Sequence, residues 1–212
     1  MPRVVAGKWK GFPLEVQKGS KTRPTADRVK EAIFSIILEK VPGSRFLDCF
    51  AGCGQMGLEA LSRGASYALM IEKNRGAFTA LCRNIEKTSS EDFVDLHLKD
   101  SARVLKQMAE EIEASADREE ELAKRGFDLV YFDPPWKEEG KFLMNMAPSI
   151  ASLLHKDGIL IVEADRESFE APELESFELL RTCHYGRVVV LFYSLEDGKD
   201  DPIASLDLPG EL

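Results

Sequence analysis

A glycine-rich loop and several acidic side chains have the types and spacing in this sequence that could support chemistry. The loop is Gly52-Cys53-Gly54-Gln55-Met56-Gly57, which follows an apolar run containing Asp48 and precedes an amphipathic stretch. Glycines let a ligand approach the backbone closely, and the N-terminus of a following helix presents unpaired N–H groups. This strand, loop and helix order predicts a site for an adenosine-bearing ligand, formed by Asp48, Gly52, Gly54 and Gly57. The motif alone does not choose between a dinucleotide and another such ligand.

Two further carboxylates follow the next apolar runs. Glu72 ends the run from Tyr67, and Asp100 comes shortly after the run from Val94 to Leu98. A carboxylate at the end of the second strand can accept hydrogen bonds from both ribose hydroxyls. An acid at the end of the third strand could accept from an adenine amino group. We therefore expect Glu72 and Asp100 to bind the adenosine part of the ligand.

The tetrapeptide Asp133-Pro134-Pro135-Trp136 follows the apolar run from Phe127 to Phe132. Two prolines fix the turn and remove two backbone donors, which leaves the Pro134 carbonyl beside the Asp133 carboxylate. Together these groups offer two acceptors to one planar amino group, and Trp136 offers a face on which a base can stack. The sequence therefore predicts a catalytic site at Asp133, Pro134, Pro135 and Trp136.

The elements that must position these residues alternate between strands and helices. This alternation predicts an α/β fold with an open, mostly parallel sheet, in which ligands bind at the carboxyl ends of the strands. We also expect a β-hairpin over residues 3–16, a helix from about Ala26 to Lys40 capped by Thr25, and a terminal hairpin about Gly186. The predicted domains are a basic extension (1–25), a catalytic domain (26–195) and an acidic tail (196–212).

Charge is distributed unevenly along the chain. The net charge is −9, yet residues 1–30 carry +6 and the other residues carry −15. This asymmetry predicts a basic arm on an acidic body, and we expect the body to fold without the arm. The sequence shows neither an apolar run long enough to cross a membrane nor a secretory signal. Scattered cysteines and histidines predict no metal site and reduced thiols in a cytoplasm.

Together, the glycine loop, Glu72, Asp100 and D-P-P-W resemble class I S-adenosylmethionine-dependent methyltransferases that modify amino groups. More narrowly, the sequence is similar to the bacterial small-subunit ribosomal RNA guanine-N2 methyltransferases. Three segments carry that similarity: R-V-V-A-G-K-W-K-G at 3–11, R-P-T-A-D-R-V-K-E at 23–31, and L-D-C-F-A-G-C-G-Q-M-G-L-E-A-L-S-R-G-A at 47–65. Two positions depart from the family pattern, because Cys53 stands where serine is usual and Trp136 where phenylalanine or tyrosine is commoner.

The resemblance implies a Rossmann-like, seven-stranded sheet with its last strand antiparallel, and S-adenosylmethionine as cofactor. The guanine N2 would displace the sulfonium methyl group in line, with Asp133 and the Pro134 carbonyl orienting that amine. The basic residues implied to bind RNA phosphates are Arg3, Lys8, Lys10, Arg23 and Arg28. The expected partner is ribosomal RNA or the assembled small ribosomal subunit, with the enzyme monomeric, cytoplasmic and free of metal.

Other functions stay open at this point. An adenine-N6 DNA methyltransferase could use the same D-P-P-W acceptors. A protein-glutamine methyltransferase would more often have asparagine before the two prolines. A nicotinamide-dependent oxidoreductase would explain the glycine loop and Glu72 but would leave D-P-P-W without a role. A non-catalytic RNA-binding module would explain the basic arm alone.

Overall fold

The computed structural model describes residues 1–17, 25–134, 139–165, 167 and 171–197. Within these residues, seven strands form a mixed sheet in the order β3-β2-β1-β4-β5-β7-β6. The strands are β1 (Arg45–Asp48), β2 (Tyr67–Ile71), β3 (Val94–His97), β4 (Phe127–Phe132), β5 (Leu154–Asp165), β6 (Phe177–Tyr185) and β7 (Val188–Leu195). The helices are α1 (Asp27–Ile36), α2 (Gln55–Ser62), α3 (Arg75–Thr88), α4 (Ser101–Glu113), α5 (Arg118–Arg125) and α6 (Glu139–Leu153).

The chain divides into two compact units, Met1–Ser101 and Ala102–Leu212. In the first unit, β1 and β3 each pair in parallel with β2. In the second unit, β4 and β5 are parallel, and β7 runs antiparallel to both β5 and β6. The predicted fold class, with the last strand antiparallel, is therefore confirmed, as is the terminal hairpin about Gly186.

Apolar runs explain why the strands form where they do. Leu129, Val130 and Phe132 of β4 are fully buried, as expected of a central parallel strand. On α3, Leu81 and Ile85 are buried at helical spacing, and the Asn74 side chain caps the helix by accepting from two backbone N–H groups. These local patterns place the strand ends, and therefore the residues that follow them.

The predicted N-cap at Thr25 and the predicted helix end at Lys40 need correction. The N-cap of α1 is Ala26, which makes no side-chain capping bond, and the helix ends at Ile36 before a short 3-10 turn over Leu38–Lys40. Asp27 in the first turn supplies a negative charge that suits the helix N-terminus.

The amino-terminal segment, residues 1–17, doubles back on itself without forming regular strands. Arg3 and Pro13 form an isolated antiparallel bridge, and a 3-10 turn spans Gly7–Trp9. The predicted hairpin is thus reduced to a single bridge within the described residues. Its Gly7 lies so close to α2 that an added Cβ would stand 1.8 Å from the Ser62 carbonyl oxygen, and its φ is +78°. Only glycine fits there.

Buried polar contacts fasten this segment to α2. The fully buried Glu59 carboxylate accepts from the backbone N–H groups of Val5 (2.7 Å) and Ala6 (3.0 Å). Ser62 Oγ donates to the Ala6 carbonyl (2.6 Å) and accepts from the Trp9 N–H (3.0 Å). Val4 and Leu14 of the segment are fully buried. The segment therefore contributes to the core of the first unit, and we no longer expect the body to fold without it.

Candidate cofactor loop and amine site

The glycine loop joins β1 to α2 in the first unit, as predicted. Gly52 and Gly54 both have positive φ, +55° and +84°, which L side chains rarely adopt. A Cβ on Gly54 would stand 2.4 Å from Leu81 Cδ1, whereas a Cβ on Gly52 would meet no atom of the described residues within 4 Å. As far as those residues go, the space beside Gly52 is open to a ligand, and Gly54 is fixed by close packing.

Gly57 has a packing role in α2. An added Cβ would stand 2.7 Å from both Sδ and Cε of Met70, which lies on β2. The missing side chain lets the helix approach the strand closely, which is the third glycine's usual contribution to such a loop. Its use in cofactor binding stays a prediction.

Glu72 links the end of β2 to the glycine loop. Its Oε2 accepts from the Gly52 N–H at 2.9 Å, and its Oε1 accepts from the Asn74 N–H at 2.6 Å. The residue is half-buried. A carboxylate has about four acceptor positions, so each oxygen retains capacity for a hydroxyl donor. The structure therefore brings Glu72 and Gly52, both predicted to bind the ligand, into direct contact.

Asp48 ends β1 beneath this loop and is fully buried. Burial raises the pKa of its carboxyl to about 7, and the nearby Glu72 charge acts in the same direction. Hydrogen bonds from the N–H groups of Phe50 and Gly57 oppose that rise. Near neutral pH, the Asp48 carboxyl is therefore partly protonated rather than permanently charged.

The raised pKa of Asp48 predicts how stability depends on pH. Because the folded state binds its proton more tightly than the unfolded state, Asp48 favours folding below about pH 4 and this benefit is lost as pH rises toward 7. Asp48→Asn should remove that loss. We expect the slope of unfolding free energy against pH, measured by urea unfolding, to become more positive by up to about 1.4 kcal/mol per pH unit between pH 4 and 7. An unchanged slope would contradict the buried titration.

Asp100 lies beyond the end of β3 and is exposed. The next residue, Ser101, begins α4, is buried, and donates a short hydrogen bond from its hydroxyl to the Cys49 carbonyl. Sequence reasoning did not identify Ser101, which fastens the start of α4 to the end of β1. The adenine contact assigned to Asp100 stays a prediction.

The residues predicted to bind the amine belong to the second unit. Asp133 directly follows β4 and is partly exposed, and Pro134 is buried. This places the carboxylate at the carboxyl end of a parallel strand, as predicted. Pro135 and Trp136 lie outside the described residues.

The basic residues assigned to RNA have different surroundings. Arg3 forms an ion pair with Asp27 at 2.9 Å, and Lys8 lies 4.1 Å from the ring centroid of Trp9. Lys10 and Arg28 are exposed. Arg23 lies outside the described residues.

The position of Lys8 relative to the sheet affects how RNA would have to bind. Its Nζ also lies 5.3 Å from the ring of Phe93, which immediately precedes β3. Lys8 is therefore near the amino ends of the strands, opposite the edge that carries the glycine loop. An RNA that contacted both Lys8 and the glycine loop would have to extend across the first unit.

Three buried polar residues near the loop escaped sequence reasoning. Gln55, the first residue of α2, has a buried Oε1 without a hydrogen-bond partner among the described residues. Lys30 is fully buried beside Glu59, at 3.7 Å, and burial lowers the pKa of its ammonium. Asn84 of α3 is fully buried and contacts both the amino-terminal segment and the loop. The sequence signal that could have identified these residues is a charged or amide side chain at a helix position whose spacing faces the core.

Within the described residues, no cluster of histidine, cysteine and acidic side chains could hold a metal ion. In the same part of the chain, no helix has the length and apolar character needed to cross a membrane.

Comparison with known proteins identifies the family. The family model described as "Conserved hypothetical protein 95" matches residues 2–194. The chain belongs to this family. It is 34% identical over 193 residues to "Putative rRNA methyltransferase YlbH" of Bacillus subtilis, covering 90% of this chain and 97% of that protein. It is 32% identical over 164 residues to "Ribosomal RNA small subunit methyltransferase D" of Escherichia coli K12, covering 76% of this chain and 71% of that protein.

Solved structures agree with the family match. The Escherichia coli structure named "Putative methyltransferase yhhF" superposes with a TM-score of 0.73 at 26% identity, covering 92% of this chain and 98% of the other. The resemblance inferred from the three sequence segments is therefore confirmed, and the chain has the class I methyltransferase fold.

Proposed function

We propose that this protein is an S-adenosylmethionine-dependent methyltransferase that methylates the exocyclic N2 amine of a guanine in small-subunit ribosomal RNA. The contact between Glu72 and the Gly52 N–H, beside open space at Gly52, carries the cofactor part of the proposal. Family membership over residues 2–194 and relatives named as ribosomal RNA methyltransferases support the substrate. The proposal includes a monomeric, cytoplasmic enzyme that acts on ribosomal RNA or on the assembled small subunit.

The residues present suit the cofactor. Glu72 has acceptor capacity for the ribose hydroxyls, and the open side of Gly52 permits close approach of a ligand to the backbone. The buried Oε1 of Gln55, which has no hydrogen-bond partner among the described residues, would accept a hydrogen bond from the ammonium group of the cofactor. When bound, S-adenosylmethionine supplies a methyl group made electrophilic by its attachment to a sulfonium.

Asp133 and Pro134 would then act on the nucleophile. The guanine N2 lone pair is conjugated into the ring, so this amine is a poor nucleophile until it is correctly oriented. The Asp133 carboxylate and the Pro134 carbonyl each accept one amino hydrogen, which fixes the direction of the lone pair. The carboxylate also stabilises the positive charge that develops on nitrogen during transfer.

Replacement of Glu72 tests the cofactor assignment. Glu72→Ala removes a charge-assisted acceptor and should weaken S-adenosylmethionine binding by about 1.5–3 kcal/mol in calorimetry. Glu86→Ala is a suitable control because Glu86 is an exposed acid on α3. Equal cofactor affinity in the Glu72 variant and the control would rule out the ribose contact.

Replacement of basic side chains in the amino-terminal segment tests whether this segment binds RNA. If about four basic groups contact phosphates, the slope of log affinity against log salt should be near −3. Lys8→Gln with Lys10→Gln should flatten that slope by about 1.4 units. The matched control is Lys106→Gln with Lys124→Gln, since these exposed lysines pair with acids one helical turn away. Equal slopes for the two double variants would move the RNA surface elsewhere.

One experiment addresses the reaction itself. Small ribosomal subunits and naked ribosomal RNA from cells lacking the protein are incubated with the purified enzyme and labelled S-adenosylmethionine. Mass spectrometry of the digested nucleosides should show labelled N2-methylguanosine from one of the two substrates. Label on adenine N6, or on DNA supplied in parallel, would replace the guanine proposal by the adenine-N6 alternative.

A further inference from the structure

The Asn84 side chain lies between the amino-terminal segment and the glycine loop. It is fully buried on α3. Its Oδ1 accepts from the Glu15 N–H at 2.8 Å, and its Nδ2 donates to the Glu15 carbonyl and to the Cys53 carbonyl, both at 2.9 Å. The amide nitrogen of Asn84 therefore bonds to the main chain of both Glu15 and Cys53, which are 38 positions apart in the sequence.

The Cys53 carbonyl lies between the two glycines that shape the loop. Cys53 stands between Gly52 and Gly54, the two residues whose positive φ values shape the loop. Glycine has the widest conformational freedom of any residue, so a loop of this kind needs external contacts to hold one conformation. Asn84 supplies such a contact from one side, and Glu72 supplies another through the Gly52 N–H.

A second contact of the same segment lies near Glu72. Gln17 packs against the start of α3, where a Cβ on Gly76 would stand 2.6 Å from its side-chain amide. Gly76 donates its N–H to the Asn74 side chain, and Asn74 donates its own N–H to Glu72. The segment therefore packs beside the residues that hold Glu72, and it reaches the Cys53 carbonyl through Asn84.

We propose that Asn84 is a positioning residue that holds the glycine loop, through the Cys53 carbonyl, in the conformation that binds S-adenosylmethionine. This inference rests on the proposed function. The main chain of Glu15 engages the Asn84 amide oxygen and its amide nitrogen, and so orients the amide toward the loop.

Calorimetry of cofactor binding and single-turnover methylation test this role. Asn84→Ala should weaken S-adenosylmethionine binding about tenfold. At saturating cofactor and RNA its rate of methyl transfer should stay within a few-fold of the wild type, because Asn84 acts on cofactor binding through the loop.

Glu15→Ala is the matched control. Asn84 contacts the Glu15 main chain only, whereas the Glu15 carboxylate pairs with Arg83 and Lys87. This variant should therefore keep the cofactor affinity, although it loses two exposed ion pairs. A merely structural role for Asn84 would lower the melting temperature of its variants and would leave their cofactor affinity intact.

A second variant covers the case in which Asn84→Ala does not fold. Asn84→Asp keeps an acceptor for the Glu15 N–H and loses both donors, and hydrogen exchange of amides 50–58 should be faster in it than in the wild type. Exchange at the wild-type rate, or wild-type cofactor affinity in a folded Asn84 variant, would overturn the inference. A wild-type protein that binds no S-adenosylmethionine would contradict the proposed function itself. Normal methylation by the wild type, together with unchanged cofactor affinity in Asn84→Ala, would overturn only the positioning role.

Discussion

Asp133→Ala is expected to lower the rate of methyl transfer by about 10²–10³-fold while cofactor affinity stays within a few-fold. The reason is that the proposed role of Asp133 is to orient the target amine and stabilise charge formed only in the transition state. An interaction of that kind affects turnover at saturating substrate rather than ground-state binding of the cofactor. Single-turnover methylation at saturating RNA measures the effect, with calorimetry of S-adenosylmethionine as the binding measurement.

Asp133→Asn separates charge from shape in the same assay. The amide keeps one acceptor oxygen but removes the negative charge, so its activity should lie between those of the alanine variant and the wild type. Near-normal turnover in the alanine variant would exclude the amine-orienting role. Loss of cofactor affinity in parallel with turnover would place Asp133 at the cofactor instead.

Glu59→Ala is expected to destabilise the protein by about 3–5 kcal/mol. The carboxylate is fully buried and accepts from two backbone N–H groups of the amino-terminal segment and from Arg63, at 2.7 Å. Its loss would also leave Lys30, which is fully buried, with Asp27 at 3.9 Å as its remaining ion-pair partner among the described residues. Urea unfolding measures the change in the free energy of unfolding.

A double-variant cycle identifies the source of that loss. Lys30→Met with Glu59→Ala should be more stable than Glu59→Ala alone, because no buried cation remains without its partner. Replacement of the exposed Glu86 should change stability by less than about 0.5 kcal/mol. A Glu59→Ala variant as stable as the Glu86 variant would show that the segment is not held through this carboxylate. For the same reason, removal of residues 1–22 should compromise folding, so the RNA role of the segment requires point substitutions.

Patterns carried by neighbouring residues predicted much of the fold. The apolar run over 127–132 is strand β4 with the predicted ends, because a buried parallel strand needs apolar residues on both faces. The glycine loop between β1 and α2, and the position of Glu72 after β2, were also predicted, since their spacing follows from a strand, a tight turn and a helix. The extension of β5 back to Leu154 was missed. Its polar residues at 155–157 do not look like a strand, and its pairing with β4 contains a register shift.

Contacts between distant parts of the chain could not be predicted in this way. Nothing local in L-E-A-L-S-R distinguishes Glu59 from a solvated helix residue, because its partners are backbone groups near the amino terminus. Asn84 is similarly defined by main-chain atoms of Glu15 and Cys53, which have no side-chain signature. The charge pattern of residues 1–30 correctly identified a basic segment but gave no sign that it contributes to the core.

The separation of the segment from its anchors has a consequence for folding during synthesis. Val5 contacts a residue 54 positions later, and Glu15 contacts one 69 positions later. Synthesis proceeds from the amino to the carboxyl end, so the segment is made before α2 and α3 and has no docking surface until they have followed it. Such non-local contacts form late because their loop-closure entropy must be overcome first. A segment that is synthesised before its anchors is thus among the last parts of its unit to become fixed, and its basic side chains stay exposed throughout that interval.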